Sequence, residues 1–209
     1  MRFIVLLMSV VTFAELSAQD QQDDTFKAAL FLKVDNDAFL AQTVDRYYSS
    51  GIFFQFRKLA PEGSFPSRMM KNKAKAIQSF QFAHVFYTAQ DLRLRTIDQL
   101  DRPYAGYMSL AYGVDYYFNN NSFIKLEIEG GILGPSAKMA EFQKWYHKII
   151  DARVPRGWRY QIEDAPLMQL KSAYSKLILN NGNFELYNES SVRLGTVFDN
   201  KMGKISSNE

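Results

Sequence analysis

Cysteine is absent from the 209 residues, which excludes disulfide staples and thiolate metal sites. Histidine is nearly absent. His84 and His147 are the whole supply, so any imidazole chemistry rests on one of two residues. Beyond the N-terminus no run of 18 apolar residues occurs, which excludes a membrane-spanning helix. Charge of one sign is also scarce. The net charge is +3, and the basic residues are scattered apart from the KNKAK run at 71–75. No nucleic-acid partner is expected from so small and diffuse a charge.

Aromatic side chains are plentiful, with 17 Phe and 12 Tyr. Residues 1–18 read as a secretory signal peptide. Arg2 forms the positive start, residues 3–13 the apolar stretch, and Ala18 the small residue before Gln19. Glu15 interrupts this stretch, which is short for a spanning helix. The remainder, 19–209, reads as one domain of a protein that leaves the cytoplasm.

After a polar linker the chain alternates in steps of two, the signature of half-buried strands. Ala28, Leu30, Leu32 and Val34 share one face, with Phe31 an exception on the other. Ile52, Phe54 and Phe56 oppose Gln55 and Arg57, and Phe80, Phe82, His84 and Phe86 share a face within 75–87. The segment between these two runs, 60–72, reads as a loop. Over 104–118, Met108, Leu110, Tyr112, Val114 and Tyr116 oppose Ser109, Ala111, Gly113 and Asp115. Asn119, Asn120 and Asn121 then make a turn, and Ile124, Leu126, Ile128 and Ile132 oppose Lys125, Glu127 and Glu129. Residues 166–179 and 184–198 form another pair across an Asn-Gly turn at Asn181 and Gly182.

Two architectures satisfy this alternation. A soluble β-barrel turns its apolar face inward, and a transmembrane barrel turns it to lipid. The leader, strands of ten or more residues and aromatics near strand ends (Tyr47, Tyr48, Tyr104, Tyr116 and Tyr117) favour the membrane. Seven strands are clear, whereas bacterial barrels have even numbers from 8 upward. Either an eighth is hidden or the chain is C-terminally truncated, and the latter is the expectation.

The stretch 134–161 departs from the alternation. Gly134 and Pro135 open it, a helical pattern follows, and Pro155 and Gly157 close it. A short helix is thus expected between strands 5 and 6. Gln143 and His147 stand four apart, hence on one helix face. The bland alternative is a surface helix with an ordinary exposed histidine. Polar clusters stand at strand ends: Asp35, Asn36 and Asp37; residues 45–51 with Ser49; and residues 101–106. Their oxygens suit Ca²⁺, and each is equally readable as a turn. His84, mid-strand and away from these motifs, reads as structural.

The order NDxF at 36–39, DRYYSSG at 45–51, DRPYAG at 101–106, GPxxxxxxxQxxxH at 134–147 and PxGWxxQ at 155–161 resembles the outer-membrane lipid A 3′-O-deacylase family. The resemblance spans roughly 31–200, the family's N-terminal two-thirds. It implies an all-β, transmembrane antiparallel β-barrel, incomplete here with about 7–8 of twelve strands. It implies a calcium-dependent hydrolase of the 3′-linked acyloxyacyl ester of lipid A, acting as a monomer in the outer membrane of a Gram-negative bacterium. It implies His147 as general base with Ser49, Asn36 and Gln143 in the catalytic site, and Asn36 and Asp37 beside calcium. Ser49 stands where the family usually has Thr. Arg153 stands where it has Glu, six residues after the histidine. Lys144, Lys148 and Arg153 are candidates to meet lipid A phosphates, or else form a solvated helix face. The other readings are a non-catalytic outer-membrane barrel, an inactive fragment, and a secreted barrel binding an apolar ligand.

Overall fold

The computed structural model describes residues 27–36, 47–89, 96–152, 154–181, 184–196 and 199–202. The leader at 1–18, and Asp37 and Arg153 among the site candidates, lie outside them. Eight strands form one sheet in sequence order: β1 (Ala28–Asn36), β2 (Tyr47–Leu59), β3 (Lys73–Thr88), β4 (Ala105–Phe118), β5 (Ser122–Leu133), β6 (Ala165–Asn180), β7 (Glu185–Gly195) and β8 (Asp199–Met202). Every neighbouring pair is antiparallel. The clear strands of the sequence are all present, β8 adds four residues at the edge, and among the described residues β1 and β8 are not paired, so the sheet is open, as an incomplete barrel would be. The loop expected at 60–72 contains one short helix, α1 (Phe65–Met69).

Local chemistry sets the connections. Asn121 takes a left-handed φ of 55°, and the Asn120 side-chain oxygen accepts from Ser122 N at 3.2 Å and Ser122 Oγ at 2.6 Å. That is the Asx turn the three asparagines predict. At the opposite end of the sheet the connections are long, spanning 37–46, 89–104 and 134–164. The two longest, 89–104 and 134–164, share that end with the short link 196–198, while the other end carries two tight turns and the 60–72 connection; long loops gathered at one end are what outer-membrane barrels turn outward from the cell.

Burial decides between the two architectures. The polar and small face is the buried one. Ser109, Ala111, Gly113 and Asp115 are buried on β4, and Glu127 and Glu129 on β5. Arg57 meets Asp115 at 2.5 Å, Lys125 meets Glu127 at 2.9 Å, and Lys171 bridges Glu127 and Glu129 at 2.8 and 2.7 Å. Ser109 Oγ donates to Glu129 at 2.6 Å. The opposite face is apolar and open: Leu32, Leu110 and Met168 are 68%, 68% and 67% exposed. Soluble monomers rarely expose so continuous an apolar band. Hydrocarbon outside and paired charges inside satisfy both faces in a bilayer.

The sheet also curls. Arg193 on β7 lies within electrostatic reach of Tyr87 on β3 and Tyr107 on β4. Four strand spacings would set β3 and β7 about 19 Å apart in a flat sheet. β3 and β6 have 16 residues each, more than the roughly 9–11 needed to cross a bilayer, so both project beyond it.

Two of the tyrosines expected near the membrane interface are placed otherwise. Tyr104 and Tyr116 are fully buried. Tyr116 donates its hydroxyl to the Pro66 carbonyl at 2.9 Å, and Tyr104 packs beneath Trp158. Connections folded over the strand ends cover both rings, which an alternation pattern does not register.

Candidate functional site

The long segment between β5 and β6 folds back onto the sheet at the long-connection end. Gly134 takes φ 94°, a 3-10 turn follows at Pro135–Ala137, and Lys138 adopts a left-handed φ of 61° before helix α2 (Met139–Ile149). Pro135 suits such a start because its φ is already fixed. Asp151, at φ 54°, ends the helix, and Ala152 N donates to the His147 carbonyl at 2.8 Å.

The buried residues of α2 are Met139, Ala140, Gln143 and His147, one stripe of the helix surface. Its Met139–Ala140 end packs against the outward, lipid-facing side of the wall and not into the barrel. Phe86 and Gly106 are register partners on that side, two pairs beyond Phe82 and Leu110. Phe86 joins Met139, Ala140, Tyr104 and Trp158 in one buried cluster. A Cβ on Gly106 would lie 2.6 Å from Met139 Cγ, so the missing side chain admits the helix. His84 Nε2 donates to the Ala137 carbonyl at 2.7 Å, which moors the helix entry to β3, a structural part as expected.

A second 3-10 turn, Gly157–Tyr160, closes the site from the other side. A Cβ on Gly157 would sit 2.0 Å from the Tyr104 ring, so only glycine lets that ring pass under the backbone. Trp158 stacks edge-on to Tyr104 at 5.2 Å and lies 6.2 Å from Phe86. Its indole Nε1 donates to Gln143 Oε1 at 2.6 Å. Gln143 is buried, and its Nε2 has no hydrogen-bond partner among the described residues. Most buried donors are satisfied, so this N–H pair stands out as unmatched. The site's two connecting stretches are clasped together where Ser136 donates from N and Oγ to Asp164 at 2.8 and 2.6 Å. Those two bonds hold the Asp164 carboxyl below its usual range.

Ser49 enters the same rim through a β-bulge. The β2–β3 register slips between Tyr48 and Ser50, leaving Ser49 as the extra residue, and bulges re-aim side chains. Ser49 Oγ lies 2.6 Å from Thr88 Oγ1, with both residues buried. Thr88 ends β3 two residues after Phe86, which contacts Trp158, the partner of Gln143. β3 thus carries both Thr88, the partner of Ser49, and Phe86, which meets the Trp158 that holds Gln143. Asn36 pairs with Ser50 in the β1–β2 register, so β1 ends beside Ser49.

Lys144 and Lys148 are exposed on α2. Lys144 lines a recess with Pro155, Arg156, Trp158 and Arg159, and Lys148 is not among its walls. Among the described residues no three His, Asp or Glu side chains converge as a metal set. Sequence reasoning gave no role to Thr88, Arg156 or Arg159, and read Trp158 only as part of a motif. One of only two tryptophans, set between Pro155 and Gln161, was signal enough to suspect a fixed indole. Thr88 left no such signal, because it becomes a partner only through the bulge.

LpxR from Salmonella typhimurium has a similar structure, with a TM-score of 0.63 at 21% identity, over 82% of this chain. At that identity the likeness shows the fold. The chain spans about 59% of the length of that relative. No curated protein matches the sequence. The family described as outer membrane protein LpxR matches residues 3–205. With nearly the whole length matched and the same barrel wall observed, the chain belongs to the LpxR family of outer-membrane proteins.

Proposed function

We propose that this protein is a lipid A deacylase that hydrolyses the 3′-linked acyloxyacyl ester at the outer face of the outer membrane. The observation that carries this reading is the helix bearing Gln143 and His147, packed through Met139 and Ala140 against the lipid-facing side of the wall, with Gln143 Nε2 unpartnered among the described residues. A site inside the barrel could not meet a lipid from the bilayer. A site on the outer side of the wall, under a rim helix, can receive one laterally.

His147 is the general base of this reading. An imidazole titrates near neutral pH and can take a proton from the attacking water. The Gln143 Nε2 donates toward the ester carbonyl oxygen, where negative charge develops. Its Oε1 is already held by Trp158 at 2.6 Å, which fixes the orientation of the amide. Ser49 and Thr88 hold each other at 2.6 Å and present hydroxyl oxygens beside the end of β1.

Calcium belongs to the proposal through the residues that the family pattern assigns to it, Asn36 and Asp37. The described residues alone contribute neutral hard oxygens, Ser49 Oγ and Thr88 Oγ1, which suit Ca²⁺ but lack the carboxylate it needs. Asp37 is the residue that would supply it. Bound there, the ion would provide positive charge for the developing oxyanion.

The test is fatty-acid release from purified lipid A by the full chain in detergent. Release that stops with EDTA, returns with Ca²⁺, and is abolished in His147→Ala is the expected result. Unchanged release from His147→Ala overturns the assignment of the base.

A further inference from the structure

Beside the site lies a recess of about 480 Å³ walled by Lys144, Pro155, Arg156, Trp158 and Arg159. Its floor is apolar, since Pro155 and Trp158 are buried. All three of its charged walls are cationic, and no carboxylate among the described residues lines it. Arg156 precedes the 3-10 turn and Arg159 falls within it. Both nonetheless line the same recess. Arg159 also lies over the Tyr160 ring at 4.7 Å, which limits its freedom. Lys144 comes from α2, directly after Gln143. Like charges gathered from two elements around one hollow repel one another, and an oxyanion between them reverses the sign of that interaction.

The surroundings say at what depth this hollow lies. Trp145, Ile149 and Ile150 are exposed on or just after α2, although the helix lies at the rim. Exposed Trp and aliphatic residues beside Lys and Arg are the composition of a membrane interface. Lipid phosphates lie at that level.

We propose that Lys144, Arg156 and Arg159 form a phosphate subsite that holds a glycolipid headgroup while its ester lies at Gln143 and His147. This rests on the deacylase reading and adds to it which part of the substrate is gripped. Trp158 is the shared wall. Its indole N–H holds Gln143 and the same side chain lines the recess, so headgroup and ester are held in register.

The experiment measures Kd of the full chain in detergent for bisphosphorylated lipid A, the same lipid dephosphorylated, and inorganic phosphate. Wild type should prefer the bisphosphorylated lipid at least tenfold. Arg156→Gln with Arg159→Gln should lose that preference, weakening binding about 10- to 100-fold, with the dephosphorylated lipid bound as before. Arg156→Lys with Arg159→Lys should retain part of it, because charge remains while the planar fork is lost. Both arginines are exposed, and heat-modifiable gel mobility checks the fold of each variant. A wild type that binds both lipids equally, or a glutamine variant that keeps the preference, overturns the subsite. Inorganic phosphate bound as tightly as the bisphosphorylated lipid overturns the headgroup assignment. A phosphate preference that persists in His147→Ala supports the subsite, whether or not wild type releases fatty acid.

Discussion

Leu110→Arg separates the two barrel architectures most sharply. Leu110 is 68% exposed near the middle of β4, with Phe82 and Gly130 as its register partners. If water bathed this face, the substitution would change stability by about 0.5 kcal/mol or less. At a bilayer midplane an arginine on the lipid face costs about 2–4 kcal/mol, or about 30- to 700-fold in the folded-to-unfolded ratio. The assay is urea unfolding of the full chain in phospholipid vesicles, followed by tryptophan fluorescence. Phe65→Arg is the control. Phe65 is 78% exposed on α1, in the connection beyond the strand ends, and its cost should stay under about 1 kcal/mol. A Leu110→Arg protein as stable in vesicles as wild type refutes the outward apolar face, and with it the lateral route to the site.

Other perturbations probe the lumen and the rim. Lys171→Met removes the bridge between two buried carboxylates, Glu127 and Glu129; it should cost about 3 kcal/mol, read as a lower urea midpoint in vesicles. Trp158→Phe leaves Gln143 Oε1 buried without its donor; about 1–3 kcal/mol of local stability is lost, and fatty-acid release should fall in kcat more than in KM. Gly157→Ala drives a methyl into the Tyr104 ring, costing about 1–3 kcal/mol by overpacking, which hydrogen exchange around 157–162 reports. The Asp164 clasp has a depressed pKa in the folded chain. Its contribution is therefore full above the ordinary carboxylate pKa of about 4 and is lost as pH falls through the lower folded value. Proteolysis within 134–164 should rise over that acid range in wild type and be independent of it in Asp164→Asn.

Residue order by itself determined a great deal. Alternation located seven strands to within a few residues, because the side-chain period of a strand is two whichever face is buried. Breakers at Gly134, Pro135, Pro155 and Gly157 marked the helical interruption, and the i, i+4 spacing put Gln143 and His147 on one face. Five short motifs in order pointed to the family. Periodicity could not tell which face meets water, since an inside-out barrel has the same pattern as a soluble one. Only the fold decided that Asp115, Glu127 and Glu129 are enclosed and Leu110 is not. Likewise, Ser49 meets Thr88 through a bulge, and Trp158 meets Gln143 across a folded connection. Such partners lie 39 and 15 residues apart. Contacts at that separation are set by strand register and packing, which no local spacing encodes.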